Sequence, residues 1–256
     1  MNMMRPAYSP KELVTPENWQ TLPYGDWLQQ QVGASLNDWW PKIFGYHLLK
    51  LGNLSSELAT GLCPVAHQIN LAPESEQIQA KLEALPFKSA SIDACLSTFC
   101  LEFHRDPHSL LREIDRVLIS GGRLILVGFN PLSSLGMGYL WPANHKRLPW
   151  SGRLFTPARI QDWLGVLGYR VLAKECLCQH GLLWAPTRFA SVQQSMKDVM
   201  PGLGSVYLIV AEKLDSPLTP VRQKWKIRRP LVVRPFPELA GRDSQSAARQ
   251  RDPQDR

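Results

Sequence analysis

The sequence predicts an α/β domain built on an open, doubly wound sheet, and three observations lead to this prediction. First, short strand-like segments alternate with helix-like segments over residues 45–214. Second, residues 123–129 (RLILVGF) form a continuous apolar run, which is typical of a strand at the centre of a parallel sheet. Third, a turn containing Gly52 joins the first predicted strand to a helix. We therefore expect ligands to bind at the carboxyl ends of the strands.

Residues 1–44 precede this domain and are predicted to form a helical segment that packs on its core. The apolar spacing over residues 25–42 places one set of side chains on a single helix face. Pro41 is expected to close that helix. The apolar set is Leu28, Val32, Leu36, Trp39 and Trp40.

The first half of the domain is predicted as a series of short segments. A strand at 46–51 (YHLLKL) leads to a short helix near 55–61 (SSELATG) and a second strand at 66–71 (AHQINL). A third apolar segment lies near 78–82 (IQAKL), before the loop ALPFKSAS and a β-prone stretch at 91–97 (SIDACLS).

The second half has clearer boundaries. One helix is predicted to start at Pro107 with Asp106 as its cap and to end at Gly121 and Gly122. Another has Thr156 as its cap and Pro157 at its first position, and ends at Gly168. Strands YRVLAKE and SVYLIVAEK complete the order. The predicted crevice is formed by the Gly52 turn, Asn70, the ALPF loop and the end of the SIDACLS strand.

Composition narrows the class of protein. Five cysteines are odd in number and follow neither a disulfide nor a zinc spacing, which favours reduced thiols and a cytoplasmic location. The N-terminus lacks the apolar region of a secretory signal. The longest uncharged stretch contains polar and turn residues, so it is not interpreted as a membrane span. No spacing of metal ligands is apparent, and we predict no metal.

Positive charge is concentrated in residues 215–256, which hold ten lysine and arginine residues against five acids. This tail also has six prolines and is interpreted as mostly extended or disordered. Its basic run 222–229 (RQKWKIRR) is a candidate contact for RNA, DNA or an acidic partner. Trp225 within the run favours binding, whereas the alternative is a solvated tail.

The central block, LPFKSASIDACLSTFCLEFHRDPHSLLREIDRVLISGGRLILVGFNP, resembles the core of the class I S-adenosylmethionine-dependent methyltransferases, in particular the type 11 branch. The resemblance covers about residues 45–213 and implies a Rossmann-like, mostly parallel sheet. It also implies that the last strand, 205–213, inserts antiparallel beside 123–129. The matching positions are Leu85, Pro86, Phe87, Ser91, Asp93, Leu101, Glu102, Asp106, Pro107, Leu111, Arg112, Glu113, Arg116, Val117, Leu118, Gly121, Gly122 and Leu124.

The same resemblance implies S-adenosyl-L-methionine as cofactor and marks the positions that would contact it. The sequence departs from the family in several of these places. Lys50 and Asn70 stand where the family has acids, Lys81-Leu82 replaces its Asp-Ala, and Gly52 is the one glycine of its first motif that remains. A lysine charge about 5 Å from the sulfonium would cost on the order of 3 kcal/mol at an effective dielectric near 20. We therefore expect weak binding that Lys50→Asp would tighten. The implied cofactor residues are Lys50, Gly52, Asn53, Asn70, Leu71, Glu83, Ala84, Leu85, Thr98 and Phe99.

Glu102 and His104, which both follow the SIDACLS strand, are candidates for a general base. The loop 131–149 is a candidate lid over an unknown methyl acceptor. Three functions remain open at this point. The chain is a working methyltransferase, or a catalytically inactive protein that keeps the fold as a binding or scaffold module. The third is a nucleic-acid-associated protein that uses the basic tail, which is compatible with either of the first two.

Overall fold

The computed structural model describes residues 13–72, 82–178, 202 and 204–214. Internal contacts divide the chain into residues 1–217 and 218–256, and every described residue lies in the first unit. The strands are β1 His47–Leu51, β2 His67–Leu71, β3 Ile92–Thr98, β4 Leu118–Phe129, β5 Tyr169–Leu177 and β6 Val206–Lys213. The α-helices are α1 Gly25–Asn37, α2 Asn53–Ser56, α3 Cys100–Phe103, α4 Pro107–Val117, α5 Ser134–Met137 and α6 Pro157–Val166.

The six strands form one sheet in the order β2-β1-β3-β4-β6-β5. Strands β2, β1, β3 and β4 pair in parallel. Strand β6 lies antiparallel between β4 and β5. The α/β fold class and the antiparallel insertion of the last strand beside residues 123–129 are thereby confirmed.

Each face of the sheet is covered by an apolar layer. On one face, Leu48, Leu96 and Leu208 pack against the N-terminal segment, including α1. On the other face, alternate residues of the same strands, such as Leu49, pack against α4 and α6. This alternation is expected of strands that are buried on both sides.

The N-terminal helix is shorter than the sequence suggests. Helix α1 ends at Asn37, and Trp40–Lys42 form a separate 3-10 turn with Pro41 inside it. Proline cannot donate a backbone hydrogen bond to Asn37 and disfavours helical geometry in the residue before it. The single helix predicted over 25–42 is therefore wrong at its C-terminal end.

Helix α4 begins as predicted and ends earlier. The Asp106 carboxylate accepts from the backbone N–H groups of His108 and Ser109, and Pro107 occupies the first turn. The helix ends at Val117, however, and the two glycines lie within β4. Pairing with β3 jumps between Leu118 and Arg123, and Gly121 in this irregular stretch has φ +74°. The glycines therefore accommodate a bulge rather than a helix end.

Helix α6 matches its predicted boundaries. The Thr156 side chain accepts from Arg159 N, Pro157 is in the first turn, and Gly168 follows the helix with φ +82°. The predicted apolar segment near 78–82 lies almost wholly outside the described residues, as does the whole basic tail.

Candidate functional site

The carboxyl ends of β1, β2 and β3 lie next to one another at one edge of the sheet, where the sequence predicts a crevice. Leu51 of β1 is in register with Leu71 of β2 and with Ser97 of β3. The Gly52 N–H donates to Leu71 O at 2.8 Å, which joins the turn to the end of β2. The structure thus brings Lys50, Gly52, Asn70, Leu71 and Thr98 to the same edge of the sheet.

Gly52 forms a sharp turn between β1 and α2. Its φ of +81° and ψ of +161° favour glycine, since side chains are rarely tolerated there. A Cβ at this position would also lie 2.6 Å from the Cys100 Sγ. Asn53 is the first residue of α2, so it does not need the positive φ that glycines supply in the family motif.

Hydrogen bonds from distant parts of the chain fix the Gly52 turn in place. Ser55 is fully buried, and its hydroxyl accepts from Thr98 N at 2.9 Å. The Trp19 indole donates to Leu54 O at 3.0 Å. The Cys100 thiol donates to Leu51 O at 3.1 Å, and burial raises its pKa to about 12. Cys100 therefore acts as a neutral packing and hydrogen-bonding group. Sequence patterns gave no signal for these residues.

Lys50 is buried and engaged within this loop. Its ammonium donates to Leu58 O at 3.1 Å, just beyond the C-terminus of α2. Only 5% of the residue is exposed, and burial lowers the pKa of the amine, partly offset by the Cys63 thiol. The ammonium that was expected to face the cofactor instead donates to a loop carbonyl, and its burial disfavours the charged form.

Asn70 and Thr98 supply polar groups at the ends of β2 and β3. Asn70 is directly in register with Lys50 and is half-buried. Thr98 is buried, and its Oγ1 has no hydrogen-bond partner among the described residues. A buried hydroxyl of this kind usually has a partner, so Thr98 Oγ1 is a candidate contact for a polar ligand atom.

Phe99 differs from its predicted place against the cofactor. Its ring stacks on Phe129 with centroids 3.9 Å apart and meets Trp19 edge-on at 5.8 Å. It is 1% exposed, and its φ of +54° is uncommon for a large side chain. Its ring therefore belongs to the hydrophobic core, and only its backbone lies at the crevice.

The loop containing Glu83, Ala84 and Leu85 is fixed by α4. The Leu85 N–H donates to a carboxylate oxygen of Glu113, and Leu85 O accepts from Arg116. The Leu85 side chain is buried, whereas Glu83 and Ala84 are exposed. The backbone groups of Leu85 are therefore used within the protein, and its contribution to a ligand would be apolar.

Glu102 is buried in the layer below the crevice. Its Oε1 accepts from Phe129 N at 2.9 Å, and its Oε2 has no hydrogen-bond partner among the described residues. Burial raises the pKa of this carboxyl to about 8, against the opposing effect of the Phe129 N–H. At neutral pH the group is therefore mainly protonated, which favours a structural role over that of a base.

His104 closes a local turn. Its Nδ1 lies 3.1 Å from Asp106 N and 2.8 Å from Asp106 O. Burial lowers the pKa of the imidazole, and the Asp106 carbonyl opposes this shift. The ring is half-buried and its Nδ1 is engaged with Asp106, so Nε2 is the ring nitrogen that a substrate could reach.

The loop after β4 is structured by its own hydrogen bonds. The Asn130 carboxamide donates to Gly204 O at 2.9 Å and accepts from Leu132 N, so it organises the turn. The Trp150 indole donates to Leu135 O, whereas Trp141 is 70% exposed. Trp141 is therefore the tryptophan of this loop that an acceptor could reach.

These residues offer polar groups for part of S-adenosylmethionine. The Gly52 turn brings the backbone of β1 to the crevice, and Asn70 and the free Thr98 hydroxyl offer hydrogen bonds to ribose hydroxyls and other polar groups. Lys50 does not provide the carboxylate expected for the methionine ammonium, and Asn70 does not provide the one expected for the ribose hydroxyls. The fit is thus through backbone and neutral groups.

Comparisons with known proteins bear on the fold and on the family of the chain. A family model described as "Methyltransferase domain" matches residues 45–126. The uncharacterized protein YafS of Escherichia coli is 39% identical over 224 residues, covering 86% of this chain and 91% of YafS. The C-methyltransferase UbiE of Hahella chejuensis is 43% identical over 63 residues, covering 23% of this chain and 25% of UbiE. A methyltransferase structure from Thermotoga maritima gives a TM-score of 0.54 at 19% identity, covering 76% and 99% of the two chains.

The strand order and the matched domain give the chain the fold of the S-adenosylmethionine-dependent methyltransferases. The chain belongs to the same family as YafS.

Proposed function

We propose that the protein binds S-adenosyl-L-methionine in the crevice beside Gly52 and transfers its methyl group to an acceptor. The observation that carries this proposal is the convergence of Gly52, Asn70 and the unpartnered Thr98 hydroxyl at the ends of three adjacent strands. The methyltransferase domain matched over residues 45–126 supports the same reaction class.

In this proposal each residue has a limited task. The Gly52 turn admits the cofactor to the backbone, while Asn70 and Thr98 donate or accept hydrogen bonds at its hydroxyl or amino groups. Leu71 and Leu85 provide apolar contacts for its ring. Bound S-adenosylmethionine supplies an electrophilic methyl group, and the protein orients the acceptor and excludes water. The acceptor is assigned to no chemical class.

Titration calorimetry with S-adenosylmethionine and S-adenosylhomocysteine tests this proposal. We expect saturable binding of both by the full chain, and loss of binding in Gly52→Val. That variant combines a strained φ with a close contact at Cys100. Its folding is checked by circular dichroism, and Gly33→Val serves as the matched control because a Cβ there meets nothing within 4 Å. Absence of binding at millimolar ligand would overturn the proposal.

A second function, a binding or scaffold module without catalysis, is favoured by one observation. The acids that would hold the cofactor are replaced, and Lys50 is committed to Leu58 O. For this alternative we expect the purified chain to retain its fold in the absence of any cofactor and to show no binding in the titration above.

The basic run 222–229 lies outside the described residues, so its proposed contact with nucleic acid or an acidic partner is based on the sequence alone. No helix within the described part of the chain is long and apolar enough to cross a membrane.

A further inference from the structure

Two histidines face each other at the amino ends of β1 and β2, on the edge of the sheet opposite the crevice. His47 and His67 are in register on the two parallel strands. Their Nδ1 atoms are 2.8 Å apart, and their rings meet edge-on with centroids separated by 4.9 Å. The proposed methyl transfer makes no use of this pair.

The separation of the two nitrogens matches that of neighbouring ligands on a metal ion. Two nitrogens at 2.0–2.1 Å from a metal and at right angles to each other are about 2.9 Å apart. A tetrahedral arrangement would require about 3.4 Å. The pair therefore suits the tetragonal geometry of Cu²⁺ or Ni²⁺ better than that of a structural zinc site.

Asp93 fixes the backbone from which the His47 side chain projects. The His47 backbone N–H donates to Asp93 Oδ2 at 2.9 Å, and the neighbouring Tyr46 backbone N–H donates to the same oxygen at 3.0 Å. These two bonds fix the start of β1. His67 is exposed, so water can reach the remaining coordination positions.

The geometry points to a surface site for a divalent transition metal, formed by the Nδ1 atoms of His47 and His67 and completed by water. Without metal, one ring carries its proton on Nδ1 and donates it to the other. The metal ion takes the place of that shared proton, and both rings then carry their protons on Nε2. Within the described residues, no group of three or more histidine, cysteine or acidic side chains forms a larger metal site.

Such a metal would link the first two strands of the sheet, since each strand contributes one ligand. These strands end at Leu51 and Leu71, beside Gly52 and Asn70. We expect the ion to stabilise the folded chain in proportion to its occupancy, because the site exists only when the strands are paired.

The test uses the untagged full chain in a non-chelating buffer at pH 8, with Ni²⁺ as the probe. One millimolar Ni²⁺ is expected to raise the Tm of the wild type by roughly 5 °C. Calorimetry is expected to give one strong site per chain. His47→Gln and His67→Gln should each weaken this binding at least tenfold and abolish the Tm shift.

His145→Gln is the matched control, because His145 is exposed and far from β1 in sequence. It should keep both the binding and the Tm shift of the wild type. In EDTA all four proteins should melt within about 2 °C of one another, as expected for surface substitutions. An equal Ni²⁺ response in His67→Gln and the wild type, or no response in the wild type, would overturn the site.

Discussion

Lys50 shows how burial changes the meaning of a charged residue. From the sequence, Lys50→Asp is expected to tighten cofactor binding by removing a repulsive charge. In the folded protein the amine is 5% exposed and donates to Leu58 O. An aspartate at this position would place a shorter, negative side chain beside that carbonyl. The substitution therefore removes a donor and introduces an acceptor that repels its neighbour.

We expect Lys50→Asp to lower the free energy of unfolding by about 2–4 kcal/mol, because it leaves a buried charge and a carbonyl without partners. Lys50→Met keeps the apolar stem and should cost about 1 kcal/mol or less. Urea denaturation of both variants measures the difference. A Lys50→Asp protein as stable as the wild type, with tighter cofactor binding, would contradict the structural role and restore the interpretation from sequence.

Glu102 makes the stability of the folded protein depend on pH. Its pKa rises from 4.5 in the unfolded chain to about 8 in the folded protein because of burial. The folded state therefore keeps the proton that the unfolded state releases, and stability falls as pH rises from about 4.5 to 8. At most about 1.4 kcal/mol is lost for each pH unit in that window.

Glu102→Gln removes this titration but keeps an acceptor for Phe129 N. We expect the variant to match the wild type near pH 5 and to be more stable by a few kcal/mol at pH 9. Thermal melts of both proteins between pH 5 and 9 make the comparison. If the stability difference does not change with pH, the buried carboxyl does not titrate as described. If the variant is stable but inactive in a methyl-transfer assay, Glu102 has a catalytic role after all.

At the scale of elements, local patterns predicted where segments begin better than where they end. Asp106 and Thr156 cap α4 and α6 as expected, because the cap, the proline and the first turn are contiguous in sequence. The predicted end of α4 was wrong. Glycines can terminate a helix or form a bulge, and only the pairing of β4 with β3 shows that Gly121 and Gly122 belong to a bulge. Trp40 was wrongly placed in α1 because apolar spacing continues through Pro41.

The site was predictable in outline for a similar reason. Gly52, Asn70 and Thr98 end adjacent strands, and strand order follows from the family pattern. The residues that support them lie far away in the sequence. Trp19 donates a hydrogen bond to Leu54 O across 35 positions, and Cys100 donates one to Leu51 O across 49. No short motif records such pairs. The exact role of Lys50 also depended on Leu58, whose carbonyl becomes an acceptor only after the loop folds.

At the scale of the whole molecule, the core extends beyond the matched methyltransferase domain. That match begins at residue 45, yet α1 and the turns around it form one layer on the sheet. Trp19 and Trp40 in this segment are 0% exposed. Two further bonds join α1 and the residues after it to β5, since Ser35 Oγ and Trp39 Nε1 both donate to the Glu175 carboxylate. The N-terminal segment is therefore part of the folding unit.

We expect a chain that begins at residue 45 to lack a cooperative melting transition, because one face of the sheet would be exposed to water. Trp40→Ala in the full chain should cost about 3–5 kcal/mol, as large core truncations do. Trp40→Phe should cost less than about 1.5 kcal/mol, since the Trp40 indole N–H has no hydrogen-bond partner among the described residues. Tyr46→Ala, at a position that is 81% exposed, is the control and should change stability by less than about 0.5 kcal/mol. A cooperative transition in the shortened chain at the wild-type Tm would show that residues 45–214 fold alone, and that the N-terminal layer is an addition to the domain.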